Sequence, residues 1–536
     1  MLYNEKMKKI VYNISLLTLI LFLSAPLFAQ NVNDLNKLVT KFGQTLFYLN
    51  NYYLGTVNNE KVVDDAIGKV ISELDPHSMY ISAKDVKSMN EPLEGNFEGV
   101  GIEFAIVKDT LTVASPISGG PCERVGIRAG DRIVKIDGES VAGIGITNER
   151  VFKYLRGTKG TKVGLSIIRK GINEPLEFEV IRDKIPINSL EAAYEAKPGI
   201  IYLKLSRFAA QSSQEIINAI ASLKVKRING IILDLRGNSG GLLGTAMEIS
   251  NFFLESGQTI VYTEGLRVPK SDERANGTGF YKKGPLAVLI DENSASASEI
   301  VAGAVQDWDR GFIVGRRSFG KGLVQQMLPL NDGSQLRLTI ARYHTPSGRV
   351  IQSPYVEGEA EKYYKALLDR YTRGEYFYKD SIHFPDSLQF KTLLKGRTVF
   401  GGGGIMPDYF IPVDTTYYTD YYGNLLRKGI LLDFMNDYSD ANRLKWKGEF
   451  SSFKKFNNKY HIDDELIERL VTYAKERKLE PNPKEIEISR NEISLYMKAI
   501  VARTIFGIEG YYKVINSGND AIFDKALELI RTKADL

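Results

Sequence analysis

Leu286-Ala287-Val288-Leu289-Ile290, followed by Asp291-Glu292-Asn293-Ser294-Ala295-Ser296-Ala297-Ser298-Glu299, decides how the fold is read. The unbroken apolar run fits a strand buried on both faces. The small and polar residues after it fit a loop, and 296–308 fits a helix. The same alternation extends to either side. Segments 200–205 and 230–235 read as strands flanking a helix at 211–223; 242–254 reads as a helix, and 311–315 and 323–330 as strands. Strands alternating with helices argue an α/β layer built from crossover units, with 311–315 returning the chain to the same sheet.

Upstream, residues 94–182 change to short alternating strands punctuated by glycine, with helices expected at 121–126 and 148–156. These make a small β-rich module. Earlier still, Leu35, Leu38, Val39, Phe42, Leu46 and Leu49 recur at helical spacing, and Leu74-Asp75-Pro76-His77-Ser78 favours a turn. His77 reads there as a structural residue. Downstream, 359–394 is charged and tyrosine-rich and reads as an insertion, Gly401–Gly404 marks a tight loop, and the chain beyond Asp414 reads as helical.

A chain of 536 residues is too long for one core, so several domains are expected. The net charge of +5 over 70 basic and 65 acidic side chains leaves no electrostatic footprint for nucleic acid. Lys6, Lys8 and Lys9 precede a short apolar stretch, 14–23, and Ala29 offers a cleavage point before Gln30. This reads as an export signal, with an uncleaved anchor as the alternative. A single cysteine, Cys122, excludes an internal disulfide and reads as a small buried hydrophobe. The four histidines have no metal-ligand spacing, so no metal or other cofactor is expected.

Two familiar patterns are misleading. Gly315–Gly322 resembles a phosphate-binding loop, but Gly322 stands where serine or threonine would hold magnesium, and the segment leads toward a strand. Gly237-Asn238-Ser239-Gly240-Gly241 matches a nucleophile elbow with Ser239 at its centre, which would describe an esterase. The preferred reading is that these glycines turn backbone N–H groups toward an oxyanion. The stronger constellation pairs Ser296, at the start of a helix where unpaired N–H groups favour negative charge, with Lys321 as its base. Local pattern alone does not select Lys321 from the other lysines.

At these residues the chain resembles the C-terminal processing peptidases, or tail-specific proteases. The resemblance covers 36–413. It rests on Leu-Asp-Pro-His-Ser at 74–78, Arg-Ala-Gly-Asp-Arg-Ile-Val-Lys-Ile-Asp-Gly at 128–138 and Leu-Asp-Leu-Arg-Gly-Asn-Ser-Gly-Gly-Leu-Leu at 233–243. It continues through Glu-Asn-Ser-Ala-Ser-Ala-Ser-Glu at 292–299, Phe-Gly-Lys-Gly-Leu-Val-Gln at 319–325, Thr-Pro-Ser-Gly-Arg at 345–349 and Gly-Ile-Met-Pro-Asp at 404–408.

The resemblance implies a multidomain α/β protein: signal peptide 1–29, helical N-terminal segment 30–88, PDZ domain 89–185, Ser–Lys peptidase core 186–414 with the insertion at 359–394, and helical C-terminal region 415–536. It implies Ser296 as nucleophile, Lys321 as base and Gln325 as the residue orienting it. Ser294 and Ser298 are the competing serines. The oxyanion hole falls on Ala297 and on Gly240 or Gly241, with the choice open. In the PDZ domain, Gly99-Val100-Gly101-Ile102 matches the loop that holds a peptide carboxylate while the peptide adds as a strand. The implied partners are protein substrates with exposed apolar C-terminal tails, with room for a homo-oligomer or an adaptor, and the signal segment leads to the expectation of an exported protein, periplasmic or else membrane-associated or secreted. The rival reading is a PDZ-bearing tail-binding protein or chaperone without peptidase activity.

Overall fold

The computed structural model describes residues 34–117 and 119–532; the segment 1–29, expected to be an export signal, lies outside the described residues. The chain divides into two units, one up to Leu74 and one from Asp75 onward. In the first, residues 34–52 are helical and a second helix runs Asn59–Ser72. The Asn58 side chain caps that helix by accepting the Lys61 N–H, and Asn50 and Asn59 exchange two side-chain hydrogen bonds.

The second unit is built around a six-stranded sheet in the order Leu190–Lys197, Ile200–Leu205, Gly230–Asp234, Leu286–Ile290, Phe312–Gly315, Tyr409–Phe410. The first pair is antiparallel and the rest are parallel. The continuous apolar runs have the physical cause inferred from sequence, since every residue of 200–205, 230–234, 286–290 and 312–315 is buried. One face packs against helices Ser212–Ser222, Leu243–Asn251 and Ala297–Asp307. The other is covered by the last helix, Ala521–Thr532, through Phe523, Ala526, Leu529 and Ile530. Gly230 lies under this helix, and a Cβ there would stand 2.3 Å from Ile530. The end of the helical C-terminal region thus completes the α/β layer; the helices between Asp420 and Gly518 form their own aromatic-rich core.

The β-rich module has strands Ile102–Val107, Thr110–Pro116, Arg132–Ile136, Lys162–Ile168 and Leu176–Ile181 in that spatial order, with helices Pro121–Arg124 and Asn148–Leu155. Ile102–Val107 is one of its edge strands. Entry and exit segments pair as a two-stranded ribbon, Asn96–Gly99 against Asp183–Pro186. Cys122 lies in this module's core, fully buried, and burial pushes its thiol up to about 12.

A further sheet carries what the sequence reading had not joined. Its central strand, Gln335–His344, pairs with Met79–Ile81, Thr259–Glu264 and Leu323–Pro329. Residues 79–81, placed by the sequence within the helical N-terminal segment 30–88 just after its turn, form a strand paired with Gln335–His344 instead. Segment 359–394 is likewise packed inward: its helix Ala360–Thr372 buries Tyr363 and Arg370. Among the described residues no helix is long and apolar enough to cross a membrane.

Candidate active site

Two loops leave the same end of the sheet, one of them rich in glycine. The loop after Gly230–Asp234 is pinned by Asn238, fully buried, whose Nδ2 donates to Leu205 O at 2.9 Å and whose Oδ1 accepts the Gly240 N–H at 2.8 Å. The loop after Leu286–Ile290 is stitched to it. Ala295 N donates to Asn238 O at 3.0 Å, Ser298 Oγ donates to the same oxygen at 2.8 Å, and Gly237 N donates to Asp291 Oδ1 at 2.9 Å.

Geometry separates the three serines. Ser294 is buried and its hydroxyl donates to Leu235 O, and Ser298 is buried and committed to Asn238 O. Ser296 alone of the three reaches the surface. It immediately precedes helix Ala297–Asp307 with φ +54° and ψ −113°, a conformation that side-chain-bearing residues adopt only under local constraint. Gly240 makes room for it: at φ +104°, a Cβ on Gly240 would stand 2.8 Å from Ser296 Cβ and 3.0 Å from Ala297 N. The Gly240 N–H is spent on Asn238, whereas those of Gly241 and Ala297 find no partner among the described residues.

Lys321 approaches from the segment between Phe312–Gly315 and Leu323–Pro329. Its Nζ donates to Gln325 Oε1 at 2.9 Å, and Gln325 Nε2 donates to His77 O at 2.6 Å. Burial holds the Lys321 ammonium below the usual lysine range; the Arg337 charge adds to this, and Asp75 and Glu299 oppose it. His77, pushed down to about 4 by burial and then by the Lys321 charge, is neutral and faces Tyr363 OH through Nε2 at 3.1 Å. Asp75 holds the preceding turn by accepting the His77 and Ser78 N–H groups, both at 2.8 Å.

Glu299, fully buried, joins the two loops. Its Oε2 accepts the Ser296 N–H at 2.8 Å and the Lys321 N–H at 2.9 Å; its Oε1 accepts Ser318 Oγ–H and the Gly320 N–H. Burial pushes this carboxyl up to about 7 against hydrogen bonds that all favour the anion.

The structure thus brings together Ser296, Ala297, Gly240, Gly241, Lys321 and Gln325. Gly99, Val100, Gly101 and Ile102 lie apart, at the start of an edge strand of the β-rich module. There Gly101 takes φ +75°, and its N–H has no partner among the described residues, while neighbouring Gly99 forms a bridge with Arg156. Ser239 is exposed, and among the described residues no histidine hydrogen-bonds to it; His344 stacks on Tyr262 instead. The Gly315–Gly322 segment leads into a strand, with no helix to receive phosphate. Asp75, His77, Arg337, Tyr343 and Tyr363 went unrecognised as site residues. Glu299 was visible only as the end of a motif.

Comparison with known proteins matches residues 199–361 to peptidase family S41, 99–180 to the PDZ domain, and 421–507 to a family of unknown function. A carboxy-terminal-processing protease of Bartonella bacilliformis is 38% identical over 62% of this chain and 78% of its own length. A probable CtpA-like serine protease of Staphylococcus aureus is 30% identical over 83% of this chain and 88% of its own. A solved photosystem II D1 C-terminal processing protease is 30% identical, covering 58% of this chain and 83% of that one, with a TM-score of 0.34.

Proposed function

This chain belongs to the carboxy-terminal processing proteases of peptidase family S41 and is a serine peptidase, and from that premise we propose a Ser–Lys acyl-enzyme mechanism fed by tail recognition at the PDZ domain. The observation that carries the proposal is the Lys321–Gln325 hydrogen bond beside the helix that Ser296 begins. Neutral Lys321 Nζ takes the Ser296 Oγ proton as that oxygen bonds to the scissile carbonyl carbon. The carbonyl electron pair moves to oxygen, where the free N–H groups of Gly241 and Ala297 are the donors available to hold it; Gly240 is already committed. The ammonium then returns the proton to the leaving amine as the C–N bond breaks, and water releases the acyl group by the same steps.

Gln325 is a neutral partner, and this suits a lysine that must lose its proton. A carboxylate there would stabilise the ammonium. Substrate choice falls to the PDZ domain: an edge strand accepts an extended tail, and the Gly99–Ile102 loop, with the Gly101 N–H, meets the terminal carboxylate. The basic, apolar N-terminus supports export to the periplasm, which the mass of the mature N-terminus, expected at Gln30, tests. For the mechanism, the test is cleavage of an unfolded protein by wild type, Ser296→Ala and Lys321→Ala. Both variants should be inactive while folded, and turnover by either contradicts the reading.

A further inference from the structure

Ser296 and Lys321 come from different loops, so their separation depends on what ties the loops together. Glu299 ties their N–H groups. A second tie joins their carbonyls: Tyr343 OH hydrogen-bonds Ser296 O at 3.0 Å and also Lys321 O. Tyr343 is 1% exposed, so this hydroxyl has no exchange with water to fall back on. Its one proton is shared between the two oxygens. The partners differ in what else they have. Ser296 O already accepts from Glu299 N and Ile300 N, whereas Tyr343 is the donor for Lys321 O among the described residues.

The strand that carries Tyr343 also reaches the rest of the base. Gln335–His344 pairs Thr339 with Gln325, carries Arg337, whose charge acts on Lys321, and through Thr339 N donates to Ser78 Oγ at 2.9 Å in the turn that receives Gln325. One strand therefore registers the Lys321 main chain at one end and its side-chain partner further along.

We infer that Tyr343 is a positioning residue of the peptidase reaction, its hydroxyl bracketing the Ser296 and Lys321 carbonyls so that base and nucleophile keep one spacing while substrate enters and leaves. The inference rests on the Ser–Lys reading above. It deepens that reading, because a bracket on both backbones has a use only if both residues act on one bond. With the hydroxyl gone, the Lys321 carbonyl is buried without a donor and its peptide is free to turn, carrying Nζ away from Gln325 and Ser296.

Tyr343→Phe removes the hydroxyl alone. The expected result is a loss of about 10- to 100-fold in kcat, the range that sub-ångström to ångström misplacement costs, with KM unchanged. The rising limb of kcat/KM against pH should also move to higher pH as Lys321 loses its buried seat. Replacing Tyr343 by 4-aminophenylalanine, which restores a donor, should recover most of the loss. This second variant also covers the case in which Tyr343→Phe fails to fold. Ser296→Ala and Lys321→Ala run alongside. If they are inactive and Tyr343→Phe matches wild type in kcat and pH profile, the bracket is wrong and the Ser–Lys reading stands. If either retains activity, that reading itself has failed. Loss in Tyr343→Phe confined to the amount of folded protein, with normal turnover per folded molecule, also overturns the inference.

Discussion

Gln325 Nε2 donates to the main-chain oxygen of His77 at 2.6 Å, and that bond settles which end of the carboxamide faces Lys321. A carbonyl accepts only, so the amide nitrogen must point at His77 and Oε1 at the lysine. Gln325→Glu removes this donor and places a negative charge against Nζ. Lys321 should then hold its proton to higher pH, and the rising limb of kcat/KM should shift upward. The pH–rate profile checks it; an unchanged or lowered limb contradicts the assignment.

Arg337 supplies the opposite charge effect. It helps depress Lys321, so Arg337→Gln should raise the lysine pKa and again move the limb upward, without touching the Gln325 contact. Lys321→Arg should be inactive at every pH, since guanidinium does not shed its proton. Activity in Lys321→Arg within tenfold of wild type would require another base.

The same lysine makes a stability prediction. Its folded pKa lies below the unfolded one of about 10.4, so between the two the unfolded chain binds more protons. Wild-type stability should therefore rise with pH through that window, and at lower pH the buried ammonium is a cost. Lys321→Met should melt at a higher temperature than wild type near neutral pH and lack this part of the slope. Equal melting curves across the pH range would mean the site is better hydrated than its burial indicates.

Gly240→Ala tests the seat of the nucleophile. The new Cβ would press on Ser296 Cβ and Ala295 O at 2.8 Å in a left-handed backbone, so kcat should fall about 100-fold or more as the loop shifts. Ser239→Ala, on the exposed neighbour, should stay near wild type in the same assay. The reverse order of effects would restore Ser239 as the nucleophile.

The sheet and both loops were legible because their cause is local. Leu286–Ile290 is buried on both faces and so reads as an unbroken apolar run, and the helix expected at 296–308 is found at Ala297–Asp307. Tyr343 was not legible. An aromatic in a strand looks the same whether its hydroxyl is a core group or a bracket on two carbonyls 47 and 22 residues away. The Asp75–Ser78 turn was read as structural, which it is, yet strand pairing with Gln335–His344 delivers it to the base. The tyrosine-rich 359–394 stretch looked peripheral because its buried members, Tyr363 and Arg370, find their partners in His77 and the Arg317–Ser318 backbone, far away in sequence.

Tail recognition makes a separate prediction. If the Gly101 N–H and the Gly99–Ile102 loop receive the substrate carboxylate, amidating a substrate's C-terminus should raise KM and leave kcat for the saturated enzyme nearly unchanged. Equal KM for free-acid and amidated substrates would mean that the PDZ domain reads another feature.

The Ser–Lys pairing meets its most direct test in covalent labelling with a fluorophosphonate, which traps an activated serine. Peptide mapping by mass spectrometry should place the adduct on Ser296, with labelling that rises with pH and is lost in Lys321→Ala. An adduct on Ser239, Ser294 or Ser298, or labelling of Ser296 at the wild-type rate without Lys321, would contradict the account.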